Sequence, residues 1–143
     1  MIGLILRLKQ EHIEIERMFN NIQEYFSDQL IEADDLVRDL RMLKDILVAH
    51  LDLENKMLYP FFSKCDDASV KKLGSLFSEE MLAIFGVSMD FFERHKNESV
   101  KYLFENFKFK NELSLIAQVV IKRINLEEGV LFPVYEKYYE VKK

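Results

Sequence analysis

His50-Leu51-Asp52-Leu53-Glu54-Asn55-Lys56-Met57-Leu58-Tyr59-Pro60 returns near the C-terminus as Arg123-Ile124-Asn125-Leu126-Glu127-Glu128-Gly129-Val130-Leu131-Phe132-Pro133. The shared frame is a Glu followed by Leu-aromatic-Pro, opened by His in the first copy and by Arg in the second. Residues four apart project from one face of a helix, so His50 and Glu54 point the same way. An imidazole and a carboxylate on one face suit a metal ion held between helices. The Arg of the second copy puts that chemistry in doubt on the opposite side.

Outward from this stretch the apolar residues keep a helical period. Leu8, His12, Ile15, Phe19, Ile22 and Phe26 form one seam, ending near Ser27-Asp28. Leu36, Leu40, Leu43, Leu47, His50, Glu54, Met57 and Phe61 form a second. A third helix is expected from a cap at Asp67 to about His95, with Leu73, Phe77, Glu80 or Met81, Ile84, Val87 or Ser88, and Phe91 inward. The fourth seam reads Leu113, Ile116, Val120, Arg123, Glu127, Val130 and Val134. Four long helices, with no alternating strand pattern, predict an all-α protein: an antiparallel up-down-up-down four-helix bundle, one domain over 1–143. Pro60 and Pro133 are expected to kink or end their helices, because each removes a backbone N–H. Their matching positions suggest two related helical hairpins, with Glu11-His12 corresponding to Glu80-Met81.

Composition agrees with this architecture. Apolar residues make up 49 % and charged residues 31 %, with four Gly and two Pro. The net charge of −5 offers no basic footprint for nucleic acid. The apolar start Met1–Leu6 is too short for a signal segment, and no run approaches the ~20 apolar residues of a membrane span. The single Cys65 fits a reducing compartment, so a cytoplasmic location is expected. No phosphate loop or Ser or Cys nucleophile motif is present, which argues against an enzyme.

The seams carry ionisable residues where apolar ones belong: His12, His50, Glu54, Arg123, Glu127 and, on the third helix, Glu80. Burying any of them alone costs several kcal/mol, so they are expected to meet one another or a metal at the bundle centre. Arg123 and Glu127 form an intrahelical pair by spacing, or Arg123 reaches across to Glu54 in a Glu–Arg–Glu cluster.

This constellation resembles the hemerythrin-like (HHE) cation-binding bundles over nearly the whole chain. The resemblance rests on the first-helix His, on His-x-x-x-Glu with Leu-Tyr-Pro, and on Glu with Leu-Phe-Pro in the last helix. It implies His12, His50, Glu54 and Glu127 as metal ligands. It also implies a metal- or redox-responsive binding protein. Met81 and Arg123 stand where that family places further His residues. The expected cofactor is therefore one Fe, Zn or Mn ion rather than a di-iron centre, and ferroxidase-like activity is not expected.

A second resemblance, of Arg123-Ile-Asn-Leu-Glu127-Glu128 to the regulator of sigma D family, implies a metal-free bundle that binds a protein partner. The third helix carries an additional stripe, Leu82, Phe85, Met89 and Phe92. It is either covered by the segment Tyr102-Leu103-Phe104 through Phe107 and Phe109 or forms a homodimer or partner surface.

Overall fold

The computed structural model describes residues 3–27, 33–98 and 100–141. Asp28, at the expected first break, and the side chain of Phe104 lie outside the described residues. Among the described residues all regular structure is helical: α1 (Leu4–Ser27), α2 (Ala33–Leu53), α3 (Tyr59–Ser63), α4 (Ala68–His95), α5 (Val100–Glu105), α6 (Phe107–Leu126) and α7 (Phe132–Val141). Two five-residue π segments, Glu54–Leu58 and Glu127–Leu131, join α2 to α3 and α6 to α7. The four rods of the bundle are thus α1, α2–π–α3, α4 and α6–π–α7. No helix among the described residues is long and apolar enough to cross a membrane.

Caps agree with the sequence. Asp67 is extended and accepts from the backbone N–H groups of Ser69 and Val70, starting α4. Asn106 does the same for Lys108 and Phe109 at the start of α6. Tyr138 on α7 donates to the other Asp67 oxygen at 2.9 Å, tying the last helix to the start of the third.

The π segments correct the expected effect of the two prolines. Each begins at the Glu of the repeated frame, and in each the amide following the segment bonds back five residues, Tyr59 to Glu54 and Phe132 to Glu127. Pro60 and Pro133 are the next residues and have no N–H with which to continue that register. A π turn absorbs one extra residue, so the buried face advances by one position beyond it. Met57 and Val130, expected in the seams, are 56 % and 41 % exposed, while Leu58 and Leu131 are fully buried. Both copies slip by the same residue, which supports their reading as repeats.

Two apolar clusters result. One joins Ile15, Phe19, Ile22, Leu43, Phe91 and Phe109 with their neighbours; the other joins Leu8, Leu58, Phe62, Leu131, Phe132 and Tyr135. In the second cluster Phe61 meets Tyr135 edge-on at 4.6 Å, docking α7 on α3. Gly74 permits the close approach of α4 to α3, because a Cβ there would collide with Phe62 Cβ and stand 2.7 Å from its Cγ. Elsewhere in a helix Gly→Ala is favourable, but these Phe62 atoms sit too near the backbone to move aside. Gly74→Ala should therefore destabilise the protein by about 1–3 kcal/mol in denaturant unfolding, against a gain if the contact were loose.

The stripe on α4 is not a continuous exposed surface. Phe92 is buried in the first cluster beside Leu103 and Phe109, and Met89 packs against that cluster. The segment that follows α4 thus covers the end of the stripe, although Tyr102 and Phe107 themselves point outward. Leu82, at the other end of the stripe, is exposed beside Tyr59 and Pro60, while Val87, Leu115 and Val119 are exposed along the α4–α6 groove.

Candidate metal centre

Between the two apolar clusters lies a polar layer. His12 sits between Leu8 and Ile15 on α1, and His50 and Glu54 between Leu47 and Leu58. Arg123 and Glu127 stand between Val120 and Leu131, and all five are buried. The four residues singled out as ligands come together. His12 Nε2 is 3.0 Å from Glu127 Oε1, and His50 Nε2 is 3.3 Å from Glu54 Oε1. The two imidazole centroids are 4.7 Å apart. One donor atom from each of His12, His50 and Glu127 lies within 4.8 Å of the other two.

Two carboxylates that the sequence did not single out hold the outer ring nitrogens. His12 Nδ1 is 3.1 Å from Glu128 Oε2, and His50 Nδ1 is 2.8 Å from Glu11 Oε1. Both are half-buried, and each is a sequence neighbour of a ligand, Glu11 of His12 and Glu128 of Glu127. Anchoring Nδ1 fixes each ring and turns Nε2 to the centre, the usual arrangement around a metal-ligating imidazole.

Of the two places expected for Arg123, the structure shows the pairing with Glu127 and not the reach to Glu54. One terminal nitrogen donates to Glu80 Oε2 at 3.2 Å, and the other to Tyr59 Oη at 3.3 Å and to the Phe77 carbonyl. Its guanidinium carbon stands 4.2 Å from the Phe77 ring centroid. Its Nε lies 3.7 Å from Glu127 Oε2 without a hydrogen bond. The cluster is therefore Glu80–Arg123–Glu127 and leaves Glu54 out. The reason is local: α4 offers a carbonyl, a ring face and a carboxylate that capture the whole fork. The halves mirror each other, Glu11 bonding His50 as Glu80 bonds Arg123.

The mirror also accounts for the unpaired atoms. Neither oxygen of Glu54 has a hydrogen-bond partner, nor does Glu127 Oε2. His12 serves Glu127, and Met81 occupies the corresponding position in the second half, where a thioether has no proton to give Glu54. Buried carboxylate oxygens without partners are costly, and a cation is the group that would satisfy them. Among the described residues, His12, His50 and Glu127 are close enough together to hold a cation, and Glu54 stands beside His50 at the edge of that group. Met81 and Arg123, at the matching positions of the second half, add no imidazole to the group.

Electrostatics carry the same excess of negative charge. Burial alone would push His50 down, but its bond to Glu11 and the nearby carboxylates of Glu54 and Glu127 raise it to about 10. Burial, reinforced by Glu54, raises Glu127 to about 7, with the His12 contact opposing. Both groups hold protons more tightly folded than unfolded, so the native state binds more protons between the ordinary and shifted values. Their contribution is full below about pH 4.5 for Glu127 and 6.5 for His50, and is lost as pH rises through about 7 and 10. The metal-free protein should therefore show a falling urea midpoint from pH 5 to 9. A midpoint that rises over that range would contradict the charge assignment.

Fold and site together are those of a helical bundle with a buried group of donors that could hold a cation. Residues 2–62, rather less than half of the chain, match the family model of the hemerythrin HHE cation binding domain, and that stretch is similar to it. The match spans α1 through most of α3 and takes in His12, His50 and Glu54; Met81 and Arg123 fall in the part beyond it. The comparisons lend no support to the resemblance to the sigma D regulators. Neither curated proteins nor solved structures give a significant match.

Proposed function

We propose that this protein is a non-catalytic cation-binding protein that holds one divalent ion through His12, His50, Glu54 and Glu127. Arg123 takes the place of a second ion. The observation that carries this reading is the set of three buried carboxylate oxygens without hydrogen-bond partners beside two imidazoles whose outer nitrogens are already anchored. Mixed nitrogen and oxygen donors suit Fe, Mn or Zn. A bound ion would take over from the His50 imidazolium as the positive charge beside Glu54. His12 and His50 would hold it through Nε2, with Glu11 and Glu128 keeping both rings in orientation. Because both Glu residues begin π segments, occupancy bears on the two points where the helices change register, a basis for a metal-responsive role.

A metal-free, protein-binding role is the second reading, and Arg123 is the observation that favours it: its fixed charge already offsets Glu127. Thermal unfolding with and without added Mn(II), Zn(II) or anaerobic Fe(II) separates the two. A ligand at about 100 times its dissociation constant stabilises the fold by about 2.7 kcal/mol. The native protein should show a metal-dependent rise in melting temperature that Glu54→Gln abolishes. No rise with any of the three metals, or an equal rise in Glu54→Gln, would sink this proposal.

A further inference from the structure

Away from the polar layer, where α2 begins and α4 ends, lies a cavity of about 320 Å³. Its apolar walls include Leu40, Phe91, Phe92, Leu103 and Phe109. His95 also lines it, with Nδ1 bonded to Glu98 at 2.7 Å and Nε2 without a hydrogen-bond partner. Two cations border it from α2, Arg41 and Lys44, three residues apart and so on one helix face. Neither makes a salt bridge among the described residues, whereas Lys96, the third cation at the rim, is engaged by Glu93. Of the acidic neighbours, Glu98 is taken up by His95 and Asp45 is exposed.

Two unpaired cations a turn apart repel each other, and an anion between them removes that cost. The aromatic and aliphatic walls behind them offer nothing to a polyhydroxylated or multiply charged ligand. The volume falls at the lower end of small-molecule sites, roughly 300–1,000 Å³. We propose that this cavity binds a small organic carboxylate with an acyl or aryl body, the body against Val37, Leu40 and the edge of Phe92 and the carboxylate between Arg41 and Lys44. The site is separate from the central donors and does not depend on them.

Calorimetric titration of the native protein with octanoate, and in parallel with octan-1-ol, tests the assignment. Octanoate should bind at one saturable site, with the alcohol weaker by about tenfold, a difference of about 1.4 kcal/mol. The double variant Arg41→Gln/Lys44→Gln alters one exposed and one half-buried side chain, so it should keep the native melting temperature. It should weaken octanoate by about tenfold and leave octan-1-ol unchanged. Absence of saturable octanoate binding, equal affinity for the alcohol, or undiminished octanoate binding by the folded double variant would each overturn the proposal.

Discussion

Arg123→Met is expected to destabilise the protein by about 3–5 kcal/mol, the range for removing one partner from a buried charge cluster. Methionine fills much the same space, so the loss is not one of volume. The change leaves the Phe77 carbonyl and Tyr59 Oη without their donor, and it leaves Glu127 beside Glu54 with no fixed cation nearby. Glu80→Gln serves as the contrast. Glu80 is 60 % exposed at its side chain, so its pairing with Arg123 is worth no more than about 1 kcal/mol. Urea unfolding of both variants measures the difference. Equal, small effects would mean that Arg123 is an incidental surface-type pair and not the replacement for a cation.

The second large effect concerns the π segments. Leu58→Ala should cost about 2–5 kcal/mol, since it hollows the second apolar cluster, while Met57→Ala should stay within about 0.5 kcal/mol. The same contrast is expected between Leu131→Ala and Val130→Ala. A continuous α-helix through Glu54 would reverse the order at the first pair, because Met57 would then continue the seam. Equilibrium unfolding of the four variants is the measurement, and larger losses at Met57 and Val130 would contradict the register described above.

The sequence made the architecture readable because the seams from Leu8 to Ile22 and from Leu36 to Glu54 keep an unbroken helical period. The Asp67 cap and the inward positions of His12, His50, Glu54 and Glu127 were legible for the same reason. Beyond each Glu the period misleads. A π turn changes no residue type; it changes only which amide meets which carbonyl, so nothing in Met57-Leu58 distinguishes the two faces in advance. The repeated proline marks where the interruption lies but not its form.

The direction of Arg123 was hidden for a different reason. Spacing places it one turn from Glu127, but its fork is decided by Phe77, Tyr59 and Glu80, which only the tertiary fold brings near. The roles of Glu11 and Glu128 are not legible from the seams, because adjacent residues on a helix point in different directions. Glu11 reaches His50 on another helix rather than its neighbour His12. Both stood beside a ligand, and that adjacency was the available signal.

The proposed centre holds one cation, with Arg123 where a second would be. Its most direct test is elemental analysis of protein reconstituted in turn with anaerobic Fe(II), with Mn(II) and with Zn(II), then freed of loosely bound metal. One equivalent per chain is expected for at least one metal, and none in the Glu54→Gln variant. Two equivalents, or none with all three metals, would contradict it.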